Sequence, residues 1–236
     1  MYPSHVPTSL CEKLLLAGDS ALRALANPRR ADLVGVMGET TGGLALRRMR
    51  DRMARSSAGA AILRNRLRIR SENLDLAALR GMDDGTFGRA YHAYLSRHDF
   101  HPDERTEVRF VDDPELAYVM ARYREVHDFW HLLFGLPPTL VGEVALKSIE
   151  TIQTGLPMCS AGAVFGTARV DFKHGRNLAA VIPWAVRAGY AASDLMSVRY
   201  EEEFRAPLDD LRLRLGIMVC PAELGGVDGD AAAPRW

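Results

Sequence analysis

Residues 113–143 read DPELAYVMARYREVHDFWHLLFGLPPTLVGE and decide the fold. Asp113 followed by Pro114 is typical of a helix start, because the carboxylate caps free amide groups and proline fits the first helical position. Gly135, placed before two prolines, is typical of a helix end. Thr139 can cap a second helix that continues towards Gly155. The stretch therefore predicts two helices joined by a short loop, which together form an antiparallel hairpin.

The rest of the chain shows the same pattern of helices and short loops. A helix capped at Thr86 carries apolar residues at helical spacing, which predicts a side that faces the core. Strand signals are nearly absent, and no internal repeat or polar mid-chain linker occurs. We therefore predict an all-α fold with a single multi-helix domain over residues 1–224, and a disordered tail over residues 225–236. Asn27-Pro28 predicts a break after an initial segment. Other helices are predicted at residues 29–37, after Thr40 or Thr41, and over residues 71–80, 176–190 (disturbed by Pro183), 194–204 and 207–215. The core-facing stripe of the helix capped at Thr86 comprises Phe87, Tyr91, Tyr94 and Leu95.

The composition excludes several classes of protein. Thirty basic residues balance thirty acidic ones among 236 residues, so no global field favours a nucleic-acid partner. The three cysteines are far apart and odd in number, which disfavours a disulfide framework. No apolar run reaches the ~18–20 residues that span a bilayer. Glu12 and Asp19 interrupt any mitochondrial presequence pattern, so we expect a mature form or a source that needs no import signal.

The predicted hairpin also carries the residues with the clearest chemistry. His127 and His131 are four residues apart, so on a helix their rings project from one face. Asp128 can turn towards the same point. Glu143 lies four residues after the predicted cap, at the level of His131 if the two helices are antiparallel. Two imidazoles and two carboxylates suit Zn²⁺ or another divalent metal, although H-D-x-x-H alone can also be structural.

This motif, His127-Asp128-x-x-His131 followed by eleven residues and Glu143, resembles the zinc-binding motif of the Coq4 family of ubiquinone (coenzyme Q) biosynthesis proteins. The resemblance covers roughly residues 7–215. It includes GETTG at 38–42, FVDDPELAYV at 110–119, RYREVHDFWH at 122–131, TGLPMC at 154–159 and IPWAV at 182–186.

The resemblance implies an all-helical homodimer that lies peripherally on the matrix side of the mitochondrial inner membrane, or on the cytoplasmic membrane in a bacterium. It implies a complex with other coenzyme Q biosynthesis proteins and a polyprenylated benzoate or phenol lipid as the bound intermediate. The implied reaction is removal of the ring C1 carboxyl from a polyprenylated 4-hydroxy-3-methoxybenzoate, with hydroxylation at the same carbon in an oxidative version.

Several roles stay open at this point. Arg124, one turn before Asp128, is the candidate catalytic residue that orients the substrate carboxylate, and its alternative is a structural ion pair. Residues 144–152 and 161–165 are candidates to line a groove for the polyprenyl tail, and their alternative is ordinary helix packing. A cluster of arginines is either a solvated surface or a contact for lipid headgroups or a partner. Its members are Arg64, Arg66, Arg68 and Arg70.

Two rival functions use the same residues. A non-catalytic scaffold would need the same ligands and groove to organise the complex. A zinc hydrolase of the H-E-x-x-H type would place Glu between the histidines as a general base. Here Asp128 occupies the position of that Glu and is shorter by one methylene, which disfavours the hydrolase.

Overall fold

The computed structural model describes residues 2–26, 31–167 and 172–225. The predicted break at Asn27-Pro28 and, apart from Gly225, the predicted disordered tail lie outside these residues. Within them the chain forms α-helices and short 3₁₀ turns. The α-helices are α1 (Leu10–Ala26), α2 (Ala31–Thr41), α3 (Gly43–Ala54), α4 (Ser57–Asn65), α5 (Leu76–Arg80), α6 (Phe87–His98), α7 (Pro114–Phe134), α8 (Leu140–Thr154), α9 (Pro157–Thr167), α10 (Phe172–Ala191), α11 (Tyr200–Glu203) and α12 (Leu208–Leu215).

Helix α7 begins and ends where the sequence predicts. The Asp113 carboxylate accepts hydrogen bonds from the amides of Glu115 and Leu116 at 2.8 and 3.2 Å. Gly135 ends the helix with φ of 65°, and its amide donates to carbonyls of the last turn. The Thr139 hydroxyl caps α8 by accepting from the amide of Gly142 at 3.3 Å. The predicted boundaries are therefore confirmed at the start and end of α7 and at the start of α8.

Helix α7 is the centre of the molecule, since sixteen of its 21 residues are buried. Phe129 packs against Tyr91 and Tyr200, with ring centroids 4.5 and 5.0 Å apart. Phe87, also on α6, lies 5.2 Å from Phe129. The predicted stripe of α6 is therefore a core-facing side, as its spacing indicates.

The same helix buries charged residues, each of which is paired. Arg122 is fully buried and forms a two-pronged ion pair with Glu201, with one N–O distance of 3.0 Å. Its guanidinium also donates to the carbonyls of Leu67 and Val198. Because a buried charge without a partner is strongly unfavourable, these contacts hold the segment after α10 against α7.

The predicted start of α3 was wrong. The hydroxyls of Thr40 and Thr41 bond back to the carbonyls of Val36 and Met37, so both threonines belong to the last turn of α2. Gly42 precedes α3 instead, with no side-chain cap. A threonine hydroxyl can cap the following helix or donate to a carbonyl of the preceding turn, and here it donates to the preceding turn.

Two other predicted helices are shorter than expected. The Asp75 carboxylate caps α5 by accepting from the amide of Ala78 at 2.9 Å, and Ser71 is bonded to Asp103 instead of joining a helix. The predicted helix over residues 194–204 splits into a 3₁₀ turn, Leu195–Ser197, and α11. Pro183, which was expected to disturb the helix over residues 176–190, lies inside α10, and the helix continues past it to Ala191.

Among the described residues there is no strand, and the one β-type contact is an isolated antiparallel bridge between Thr86 and Pro207. None of the described helices combines the length and the apolar character needed to cross a bilayer. The fold class is all-α, as predicted. The single-domain interpretation stays a prediction, and the buried apolar residues from Ala45 to Cys220 form one cluster.

Candidate metal centre

Helices α7 and α8 bring three of the four predicted ligands together. His127, His131 and Glu143 each offer one ligand atom, and these atoms all lie within 4.8 Å of one another. The Nε2 atom of His131 is 3.1 Å from Oε1 of Glu143, and that of His127 is 3.9 Å from Oε2. The pairing of residue 131 with 143, and of residue 127 with 150, shows that the two helices run antiparallel.

The other ring nitrogen of each histidine is held by an acceptor. His127 Nδ1 lies 2.6 Å from Oε1 of Glu150, and His131 Nδ1 lies 3.1 Å from the carbonyl oxygen of Leu136. A carbonyl only accepts, so the proton of a neutral His131 resides on Nδ1. Both Nε2 atoms, which face Glu143, are therefore the ones available as ligands.

Glu150 anchors a buried polar network behind His127. Its side chain is fully buried and accepts from the Tyr123 hydroxyl and the Lys147 ammonium, both at 2.6 Å. Burial raises the pKa of Glu150, but Lys147 and His127 outweigh burial and hold it well below its usual range. The Cys159 thiol lies 3.5 Å away, and burial raises its pKa to about 12, so the thiol stays protonated. Glu150 is therefore an ionised acceptor for the ring of His127.

The three clustered side chains also influence one another electrostatically. Burial lowers the pKa of His127, and the nearby Lys147 adds to this effect. Burial acts in the same direction on His131, but the Glu143 carboxylate outweighs it and raises the pKa of that ring. Burial raises the pKa of Glu143, yet His131 and His127 hold it well below its usual range. The carboxylate is therefore ionised wherever the protein is folded near neutral pH.

Asp128 points towards a different neighbour. Its Oδ1 atom forms an ion pair with the Arg105 guanidinium, and Asp128 is not one of the three side chains whose ligand atoms cluster. Burial raises the pKa of Asp128, but Arg105 outweighs burial and the net pKa is lowered. Its role as a fourth ligand stays a prediction.

Arg124 is held by groups of α2 and of the loop before α7. Its Nη2 atom is 2.7 Å from Oε1 of Glu39 and 3.0 Å from the carbonyl of Gly35, and Nη1 donates to the carbonyl of Thr106. The other Glu39 oxygen accepts from the amides of residues 109 and 110 at 2.7 Å. These contacts favour the structural alternative for Arg124, while its predicted role in orienting a carboxylate remains untested.

The arginine cluster divides into separate environments. Arg68 and Arg70 both pair with Glu125, at 2.6 and 3.5 Å, and line a cavity of about 220 Å³. Arg66 stacks over the ring of Tyr118 at 4.9 Å. Arg64 is exposed. Three of the four arginines therefore contact the start or the middle of α7.

The predicted groove residues on α8 are packed into the core. Val144, Ala145, Leu146 and Ile149 are at most 2% exposed. Their burial favours the helix-packing alternative for this part of α8. In the second candidate segment, Val164 is 63% exposed and the side chain of Phe165 lies outside the described residues.

Sequence reasoning missed several residues around the cluster. Glu150 lies seven residues after Glu143, two helical turns along the same side of α8, so an acid at that spacing was a usable signal. Tyr94 had been assigned only to the core, and its ring stacks on His131 with centroids 6.1 Å apart and 23° between the planes. Arg105 lies in a loop, where spacing gives no such signal.

Comparisons with known proteins agree on the family. The family model described as "Coenzyme Q (ubiquinone) biosynthesis protein Coq4" matches residues 2–221. A Xenopus laevis protein named "Ubiquinone biosynthesis protein COQ4 homolog, mitochondrial" is 48% identical over 221 residues, or 94% of this chain and 78% of that protein. Proteins of the same name from Bos taurus and Homo sapiens are 46% and 45% identical over 228 residues, or 96% of this chain and 86% of each relative.

The fold is also similar to that of a solved structure from Nostoc punctiforme. The TM-score is 0.69 at 18% sequence identity, and the match covers 85% of this chain and 96% of the other. At that identity the similarity concerns the fold alone. The match to the family model over nearly the whole chain, together with relatives at 45–48% identity, decides the assignment. This chain therefore belongs to the Coq4 family of coenzyme Q (ubiquinone) biosynthesis proteins.

Proposed function

We propose that this chain is a metal-dependent carbon–carbon lyase of ubiquinone biosynthesis, which removes the C1 carboxyl group of a polyprenylated 4-hydroxy-3-methoxybenzoate. The observation that carries the proposal is the convergence of His127 Nε2, His131 Nε2 and the Glu143 carboxylate within 4.8 Å. In an oxidative version, hydroxylation at the same carbon accompanies the loss of the carboxyl.

The donor set fits Zn²⁺ or another divalent cation. Two imidazoles and one carboxylate form one of the three-ligand sets found in catalytic zinc sites, which keep a further coordination position for substrate or water. Asp128, released from Arg105, would complete the four-ligand set expected from the sequence. A cation bound here would supply a Lewis acid that stabilises negative charge on the substrate carboxylate and ring as carbon dioxide leaves.

The protein's own side chains prepare the site for this task. Glu150 and the Leu136 carbonyl fix the two imidazole rings, so little reorganisation is needed on binding. His131 is 1% exposed and His127 is 8% exposed, which keeps bulk water from the ring nitrogens. Glu143 has 37% of its side chain exposed and marks the side on which solvent and substrate approach.

Helix α1 supports the proposal that the protein works at a membrane surface. Leu10, Leu14, Leu15 and Leu22 are between 65% and 76% exposed. At ~100° per residue these four side chains fall within an arc of about 140° on one side of the helix. A continuous apolar stripe of this kind suits insertion into the headgroup region of a bilayer.

The names of the relatives extend the proposal to a compartment. They are called mitochondrial ubiquinone biosynthesis proteins, and we propose peripheral attachment to the matrix side of the inner membrane, or to the cytoplasmic membrane if the source is bacterial. There the chain would act as a homodimer within a complex of coenzyme Q biosynthesis proteins and take its lipid substrate from the bilayer.

The second candidate function is a scaffold that holds the lipid intermediate without transforming it. The Glu143 exposure favours catalysis over this alternative, because a closed structural metal site would have its ligands shielded from solvent. A solvent-accessible carboxylate is expected where a substrate has to reach the site.

The deciding experiment measures carboxyl loss from a soluble, short-chain prenylated 4-hydroxy-3-methoxybenzoate by the purified, metal-loaded protein, in air and without oxygen. We expect metal-dependent loss of the carboxyl, and none in His127→Ala. His131→Ala and Glu143→Ala should retain less metal than wild type. An oxygen requirement would make the reaction oxidative, and binding of the lipid without turnover would favour the scaffold.

An Arg124→Ala variant separates the two roles predicted for this residue. Lost turnover at unchanged stability would support the orienting role. From its contacts with Glu39 we expect the opposite result, reduced stability at unchanged turnover.

A further inference from the structure

Tyr94 presents a polar atom for which the protein supplies no hydrogen-bond partner. The residue is 9% exposed, and its hydroxyl is buried without a donor or acceptor among the described residues. A buried hydroxyl in that state is unfavourable, and a phenylalanine, as at Phe87 on the same stripe, would pack without this cost. The unsatisfied hydroxyl therefore indicates a bound ligand that supplies the missing hydrogen-bond partner.

The surroundings of this hydroxyl are those of the metal cluster. The Tyr94 ring stacks on that of His131. The charged groups close enough to act electrostatically on the hydroxyl are the carboxylates of Asp128 and Glu143 and the guanidinium of Arg105. Glu143 is also the cluster residue that solvent reaches. The benzoate or phenol ring of a substrate that enters beside Glu143 therefore arrives in the same part of the site as the Tyr94 hydroxyl.

We propose that Tyr94 is a substrate-contacting residue, whose hydroxyl donates a hydrogen bond to an anionic oxygen on the aromatic ring of the bound substrate. This inference rests on the proposed function, since it needs a carboxylate- or phenolate-bearing ligand at the cluster. A phenol is protonated near neutral pH and can donate one hydrogen bond, which an anionic oxygen of the ligand accepts.

Tyr200 provides the matched control. Its hydroxyl accepts from Trp130 Nε1 at 3.1 Å and donates to the carbonyl of Leu195 at 3.2 Å, so its hydrogen bonds are made inside the protein. Tyr200→Phe should lower the thermal midpoint and leave ligand affinity unchanged. Tyr94→Phe should leave the midpoint unchanged or raise it, because no internal hydrogen bond is lost.

The test is equilibrium binding of three probes to metal-loaded wild type, Tyr94→Phe and Tyr200→Phe. The first probe is the short-chain prenylated 4-hydroxy-3-methoxybenzoate, the second its 4-methoxy ether, and the third the prenylated phenol without the carboxyl group. We expect Tyr94→Phe to bind the first probe roughly 10- to 100-fold more weakly than wild type, the effect of a lost hydrogen bond to a charged group.

The other two probes identify the oxygen that Tyr94 contacts. A penalty that disappears with the carboxyl-free phenol assigns the carboxylate, and one that disappears with the ether assigns the phenol oxygen. Equal affinity of wild type and Tyr94→Phe for all three probes would overturn the inference. Because binding is measured apart from turnover, a wild type that binds without losing the carboxyl removes only the decarboxylase proposal, and one that binds none of the probes removes both.

Discussion

The orientation of His127 depends on one residue that is not itself a ligand. Glu150 is fully buried, ionised and 2.6 Å from the ring nitrogen opposite the ligand atom. A carboxylate in this position fixes the tautomer and the direction of the ring, and raises the basicity of the nitrogen that binds metal. The affinity of the site for metal should therefore depend on Glu150 as well as on the ligand Glu143.

Glu150→Gln should lower metal affinity roughly 10- to 100-fold, the usual effect of removing the carboxylate that orients a metal-binding histidine. The amide keeps the size of the side chain but removes the charge that favours a protonated Nδ1. Competition with a chromophoric chelator measures the affinity, and the visible spectrum of the cobalt-substituted protein reports the geometry.

Glu125→Gln is the control for that variant. Glu125 is also a buried carboxylate, but it pairs with Arg68 and the amide of Ile69 rather than with the cluster. Its loss should reduce stability and leave metal affinity unchanged. Wild-type affinity and an unaltered cobalt spectrum in Glu150→Gln would exclude the positioning role.

At the scale of elements, the loop between α7 and α8 determines where Glu143 lies along the hairpin relative to His131. The loop turns closely enough that a Cβ atom built on Gly142 would lie 1.9 Å from the carbonyl oxygen of Pro137. A backbone atom cannot move aside as a flexible side chain does. Glycine at this position is therefore required for the start of α8, directly before the ligand.

Gly142→Ala should reduce the free energy of unfolding by about 1–3 kcal/mol, as expected for an overpacked site, and should weaken metal binding by displacing Glu143. Urea unfolding and metal titration measure the two effects. Gly43→Ala, at the first residue of α3, is the control, since a Cβ there meets nothing within 4 Å. Wild-type stability and affinity in Gly142→Ala would contradict this account of the loop.

The elements also show what could be predicted from sequence. The boundaries of α7 and α8 depend on neighbouring residues, such as Asp113 before Pro114, and local patterns report them well. The level of Glu143 follows from the helical rise. The partner of Arg124 could not be predicted, because Glu39 lies 85 residues away and only the tertiary fold brings the two side chains together.

Thr40 and Thr41 show a second limit. A threonine hydroxyl can cap the helix that follows or bond to the turn that precedes it, and the sequence does not distinguish the two. Tyr94 shows a third. Its spacing correctly placed it on the core-facing side of α6, but the absence of a partner for its hydroxyl is a property of the assembled site.

At the scale of the whole molecule, the apolar stripe of α1 is the surface with the clearest consequence for location. Its four leucines are exposed, so replacing them removes little packing, and stability should change by less than about 0.5 kcal/mol for each. Any interaction with a bilayer, in contrast, should depend on them directly.

Replacing Leu10, Leu14, Leu15 and Leu22 together with Gln should reduce binding to phospholipid vesicles at least roughly 10-fold, because each leucine would otherwise bury apolar surface in the bilayer. Co-sedimentation with vesicles of mixed neutral and anionic lipids measures the effect. Leu213→Gln is the control, since Leu213 is 82% exposed on α12. Undiminished vesicle binding by the four-residue variant would rule out α1 as the membrane-contacting surface.

The ion pair between Arg122 and Glu201 has a consequence in time as well as in space. The two residues are separated by 79 positions in the chain. At ~5–20 residues per second, a ribosome needs about 4 to 16 seconds to pass from one to the other. During that interval Arg122 cannot be buried as an ion pair with Glu201. The central helix therefore reaches its final burial only after Glu201 has been synthesised.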